Sequence, residues 1–343
     1  MTDSVIPDAV ATLDVTPLLP AADVSPFMSD YAISFNGMTM EQGTATASSV
    51  AGSYGFAFAY GDGANATSGG DATSLFNTAI AEGAGSNALS NGGSFGTAIA
   101  SGADSSAYSN GIANFVSAMG LNSNASAALG DYNSVIVNGA YSNASILGLG
   151  GGGDGNLVSI FGDNSMANTS GVNGIISVVG NDNVQATSNG MNNIINIFGN
   201  GNELAQAAGG NSNIIGIYGD DNFSQAGFFG DSNLAAIFGY GNTVAAVGND
   251  NIAAIFGDGG SATASGTDNI AAIFGDGSTA SATGMSNLAA VFGDLLTATA
   301  DGNNLTVIEP SLMADMAAMF GGSAADVSWF TDLLDGSWLT SLF

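Results

Sequence analysis

The 343-residue chain contains no lysine, arginine, histidine or cysteine, while aspartate and glutamate together number 29. Without imidazole, amine, thiol or guanidinium, histidine base catalysis, Schiff-base chemistry, serine triads and His/Cys zinc sites are excluded. A formal charge of −29 gives no positive surface to neutralise phosphates, which excludes direct nucleic-acid binding. Disulfides are absent, so cysteine usage says nothing of the redox compartment. Proline is nearly absent too. Its five copies are Pro7, Pro17, Pro20, Pro26 and Pro310, which leaves residues 27–309 free of the residue that breaks sheet ladders. The start has no positively charged segment before an apolar stretch, and no apolar run is long enough to span a bilayer. With 45% hydrophobic and only 8% charged residues, charge-driven disorder is not expected either.

What is abundant is glycine, 52 residues of it, and it is periodic. Glycines closing Ile-Phe-Gly-like triplets fall at Gly162, Gly180, Gly199, Gly219, Gly239, Gly257, Gly275 and Gly293. Near each midpoint stands another, such as Gly248, Gly266 and Gly284. The unit is a half-repeat of about nine residues, Gly-x-x-[Asn/Ser/Gly] followed by five others, as in GNDNIAAIF and GTDNIAAIF. Five residues are too few for a stable helix, and Gly-x-x-Asn supplies the positive φ angles of a tight corner. Each half-repeat therefore reads as one strand and one corner. The expected fold is all-β: a parallel β-solenoid, a two-sheet roll of about 18 residues per coil and about 14 coils, roughly 65–70 Å long.

Three segments follow: a proline-containing N-terminal arm (1–42), a Gly/Asn-rich solenoid (43–305) and an apolar, amphipathic C-terminal tail (306–343) with helical spacing. The tail would cap the last coil, or act as a docking or export signal; both readings stay open.

Alternation assigns the faces. The fifth and seventh residues from each corner glycine point inward: Val135/Val137, Ile195/Ile197, Ala262/Ala264 and Ala280/Ala282. One sheet then turns Ser and Thr outward. The other turns Ile or Leu outward at the fourth position, and at the eighth a ladder of Phe161, Val179, Phe198, Tyr218, Phe238, Phe256, Phe274 and Phe292. A sheet apolar on both faces expects a cover. The ladder is thus a candidate interface for self-association or homo-oligomerisation, alone or with the tail, unless the rings simply pack over the corners. Aspartates one residue after the corner glycine, Asp258, Asp276 and Asp294, would stack about 5 Å apart and repel by roughly 3 kcal/mol at an effective dielectric near 20. Calcium, bound by oxygen ligands alone, would relieve this and is the one cofactor the corners admit; solvated corners need none.

The Gly-x-x-Asn spacing of FGNGNELAQAAGGNSNIIGIYGDDN (198–222), carried by Gly199/Asn202, Gly210/Asn213 and Gly219/Asn222, resembles curlin repeats, the subunits of bacterial functional amyloid. Curlin repeats place Gln two residues before the first glycine, where this chain has Ile197 or Ile217. Upstream, SFGTAIASGADSSAYSNG (94–111) is similar to the heads of trimeric autotransporter adhesins. The resemblance covers roughly 43–305 and implies a bacterial surface or matrix protein. The expectation is a non-enzymatic extracellular or cell-surface structural or adhesive protein, such as a filament or matrix subunit. The alternative is a ligand-binding solenoid, calcium-dependent or ice-binding.

Overall fold

The structure, a computed structural model, describes residues 30–310 except 129, 148–153, 184–185, 208 and 228–229. The helical reading of the tail beyond Pro310 and the arm before Asp30 lie outside the described residues. Within them the chain is an all-β parallel solenoid of about 13 turns, roughly 19 residues each, without helices. The turns run slightly longer than expected because a few are extended: the strands Phe56–Tyr60 and Thr78–Glu82, one turn apart, start 22 residues apart in register.

Successive strands alternate between two sheets. Sheet A has 16 strands and sheet B 14. From Thr46 onward every pairing is parallel and in register, so each residue stacks on its equivalent one turn away. Ile252, Ala254 and Phe256 pair with Ile270, Ala272 and Phe274. The first two strands differ: Tyr31–Phe35 pairs antiparallel with Phe56–Tyr60, and Met38–Gln42 pairs antiparallel with Tyr31–Phe35. This hairpin closes the N-terminal end of sheet A. Asp30 braces it, its carboxylate accepting the backbone N–H groups of Thr44 and Ala45 and the Thr44 hydroxyl.

The corners explain the glycines. Gly266 has φ +113°, and a Cβ built there would lie 2.0 Å from the carbonyl oxygen of Gly284 one turn on. Gly239, Gly257 and Gly275 meet the next corner glycine's oxygen in the same way, at 1.9–2.3 Å. These columns, Gly293 included, are the ones read from the period. The residue two positions after the glycine also sits at positive φ, as at Asp250, Asp268 and Ser286.

Where a corner ends in asparagine, as at Asn251, Asn269 and Asn287, that residue is buried and bonded to the next turn. Asn251 Oδ1 accepts the backbone N–H of Asn269 at 3.0 Å, and Asn251 Nδ2 donates to Gly266 O at 2.9 Å. Asn269 repeats both bonds to Asn287 and Gly284, at 3.0 and 2.8 Å. A side-chain amide has both donor and acceptor, so one residue satisfies two backbone groups that a corner would otherwise strand. The interior between the sheets is thin. Val135, Val137, Ile195, Ile197, Ala262, Ala264, Ala280 and Ala282 are all essentially inaccessible, as alternation requires.

Candidate functional surfaces

Side chains that the register places outward form long ladders, so the candidate site is a surface rather than a cleft. On sheet A the eighth-position rings stack: Phe198 on Tyr218 at 5.1 Å, then Phe238, Phe256, Phe274 and Phe292 at 4.8–5.1 Å, with interplanar angles of 10° or less. In-register parallel pairing causes this, because equivalent residues one turn apart sit at the strand spacing, close to the separation of stacked rings. Phe161 occupies the same column but is followed by Val179, so no ring continues the stack there; Phe161 and Phe198 are exposed, whereas the later rings are half-buried.

The ladder forms one wall of a groove. Ile214, Leu234, Ile252, Ile270 and Leu288 form the other, four residues earlier on the same strands. Between them lie Gly216, Ala236, Ala254, Ala272 and Ala290, facing out yet buried. Ala236 and Ala290 are 0% exposed and Ala254 and Ala272 1–2%, whereas Ala245, facing out from sheet B, is only half-buried. Upstream the same floor positions carry Ser159, Ser177 and Asn196, which are half-buried. Beside the Ile/Leu wall, Ser212, Ser232, Asn233 and Asp250 border a cleft of ≈ 320 Å³.

Sheet B presents the opposite chemistry. On Ser261–Thr267, Thr279–Met285 and Thr297–Asn303 the outward residues are Ser261, Thr279 and Thr297 in one row and Thr263, Ser281 and Thr299 in the next. The hydroxyls form a grid, about 4.8 Å between turns and about 6.6 Å along each strand.

Asp258, Asp276 and Asp294 are exposed in one corner column, as their spacing indicates. Each carboxylate is tied to the turn before it: Tyr240 N–H donates to Asp258 Oδ1, Asp258 N–H to Asp276 Oδ1 and Asp276 N–H to Asp294 Oδ1, all at 2.8 Å. One oxygen of each thus satisfies a corner amide. Among the described residues no group of three or more acidic side chains converges as a metal site. Tyr240, in the same corner column, has its phenol raised above the usual tyrosine value by a hydrogen bond to Asp221 and by that carboxylate's charge.

A second aromatic stack escaped the repeat-based reading. Tyr54, Phe76 and Phe95 sit at corners with φ of 53–62° and stack at 5.5 Å, each half or more exposed. Bulky residues seldom adopt positive φ, so these corners carry backbone strain. The signal was present: in GSYG, SLFN and GSFG each ring immediately precedes the Gly or Asn that ends a corner. In comparisons with known proteins, no family model and no curated sequence matches the chain.

Proposed function

We propose that the protein is a non-enzymatic structural or adhesive component of a bacterial surface or matrix, acting outside the cell or at its boundary through the sides of a rod. The observation that carries this reading is the unbroken register. About 13 turns at roughly 4.8 Å give a rod of about 60 Å, along which equivalent outward positions recur at every step and, from Phe198 to Phe292, carry the same kind of side chain. Such a surface suits a repeating or extended partner, including copies of itself. The curlin-like and autotransporter-like spacing of the repeats belongs with this reading.

The ends bear on the mode of assembly. Growth of an amyloid-type filament requires turns to stack on turns in parallel. At one end sheet A terminates in an antiparallel hairpin. At the other, Glu309 pairs with Val291 in an inward register position, where another turn would bury its carboxylate, and Pro310 removes a ladder donor. Assembly is therefore lateral. Copies of charge −29 repel, so association should strengthen as salt screens them. Sedimentation and electron microscopy across a sodium chloride series test this. We expect single rods at low salt and side-by-side association at high salt. Rods that stay single at every salt concentration and also fail to bind bacterial cell-wall material would sink the reading.

The hydroxyl grid of sheet B favours a second reading, ligand binding by a flat lattice such as ice. An ice-recrystallisation assay separates the two. Calorimetric titration does the same for calcium at the Asp258, Asp276 and Asp294 column.

A further inference from the structure

We propose that the C-terminal segment, residues 311–343, folds back along sheet A and occupies the groove between the Ile/Leu wall and the ring ladder. The groove is a built surface of one chemistry. From Ile214 to Phe292 its two walls and its floor include no charged side chain. Its ring wall, from Phe198 to Phe292, runs roughly 25 Å at the measured ring spacing near 5 Å. Its floor changes from half-buried Ser159, Ser177 and Asn196 to buried glycine and alanine at Gly216 and stays so to Ala290. Small floor residues between tall walls make a trough that accepts side chains from above. Among the described residues sheet B shows no equivalent run.

The chain leaves the solenoid at the foot of this trough. Strand Thr306–Pro310 is the last of sheet A, with Ile308 in register with Ala290 and Pro310 with Phe292. The described chain therefore ends at Pro310, in register with the last ring of the ladder. The 33 residues that follow would extend roughly 50 Å as helix, about twice the ladder's length, so the segment can run along the groove and return. The Gly321–Gly322 pair falls where such a return needs a break.

Composition matches as well. Met313, Met316 and Phe320 share one face at helical spacing, as do Trp329 and Leu333. Methionine adapts to an irregular trough, and the large aromatics fill space above alanine. A second copy is the weaker occupant. It would bring another 29 negative charges to the face, whereas a tethered segment meets the groove at high effective concentration.

The chain reports on this by itself, because its two tryptophans, Trp329 and Trp338, both lie in the segment. In the full-length protein we expect blue-shifted tryptophan emission and an acrylamide quenching constant severalfold below that of free indole. The double substitution Ala254→Asp and Ala272→Asp places charges on the groove floor, leaving the interior untouched. It should red-shift the emission and restore quenching, while Ala245→Asp, outward on sheet B, should do neither. The milder pair Ala254→Cys and Ala245→Cys, each carrying a nitroxide, covers the case where the aspartates prevent folding. A label at position 254 should quench tryptophan at every protein concentration, and a label at 245 should not. Emission of a fully exposed indole in the unmodified chain, equal quenching from both labels, or quenching that vanishes on dilution would overturn the proposal. The last result would place the segment on a second copy.

Discussion

The N-terminal turns around residues 57–109 and the C-terminal turns around 252–300 share one backbone but not one interior. In the first the core is Ala57, Ala59, Ala79, Ala81, Ala98 and Ala100, with buried Ser68, Ser90 and Ser109. In the second, Ile255, Ile273 and Val291 fill sheet A's half of the same space. The corners hardly notice. Gly96 N–H donates to Asn77 Oδ1 at 2.7 Å, much as Asn287 N–H donates to Asn269 Oδ1 at 3.0 Å. Coil geometry is thus held by backbone register, close-approach glycines and amide ladders, while interior volume sets how much apolar burial each turn contributes. The aromatics follow suit: strained corner rings in the thin region, a flat face ladder in the full one.

The largest expected effect lies in the corner columns. Ala at Gly266 must escape a 2.0 Å contact with Gly284 O as well as adopt φ +113°, whereas Gly63, at φ +66°, has nothing within 4 Å of a built Cβ. Gly63→Ala should cost about 1–2 kcal/mol, the usual left-handed penalty. Gly266→Ala should cost far more and unzip neighbouring turns, seen as lost amide protection in Ile252–Phe256 and Ile270–Phe274. Equal costs would mean that turn-to-turn closeness does not constrain the corner.

Next comes interior volume. Ile255→Ala should destabilise the C-terminal turns by about 2–5 kcal/mol, since its flanking turns cannot collapse into the gap. In the thin region no side chain offers as much to lose: Ala59→Gly should cost about 1 kcal/mol, mostly backbone entropy. Hydrogen exchange resolved by turn distinguishes these, and comparable losses in both regions would mean that interior volume does not separate them.

A smaller effect has the opposite sign. Ser90 Oγ is buried with no hydrogen-bond partner among the described residues. Ser90→Ala removes the stranded hydroxyl in a position already lined by alanine, and should raise stability by about 1 kcal/mol. Unchanged or lower stability in a denaturant titration would point to a partner for that hydroxyl.

The smallest effect is that of pH on the N-terminal turns. Backbone donation from Ala45, with Thr44, holds the Asp30 carboxyl below the ordinary aspartate value, and Thr73 and Ser74 do the same for Asp71. A lowered folded-state pKa means that the stabilisation is present above the ordinary aspartate range and is lost as pH falls through the depressed values. Amide exchange near Thr44 and Thr73 should therefore quicken in acid, before it does in the turns around Ile255. Uniform acid fraying along the rod would remove this distinction.

Much of the architecture was legible because a solenoid repeats one local rule. The nine-residue glycine period marked the columns of Gly239, Gly257, Gly275 and Gly293, and alternation placed Ile195, Ile197, Ala262 and Ala264 inside. The hairpin of Tyr31–Phe35 and Met38–Gln42 escaped because it occurs once and falls inside the segment 1–42 read as a proline-containing arm. Buried Ser90 and Ser188 escaped because alternation gives direction, not polarity. The asparagine ladder was visible as a recurring letter at the corners, but its pair of hydrogen bonds to the following turn depends on stacking that a single repeat does not contain.

Period, corner chemistry and the facing of each strand were properties of the sequence by itself, since each depends on residues within about nine positions of one another. Which turns form a closed apolar trough, how the first two strands turn back to close one end, and which carboxylates brace a neighbouring amide were decided only in the tertiary structure. The carboxylate–amide bonds between turns join residues 14 to 23 apart, such as Asp30 to Thr44 and Asp163 to Ala140, and only the stacking of turns brings such residues within hydrogen-bond reach.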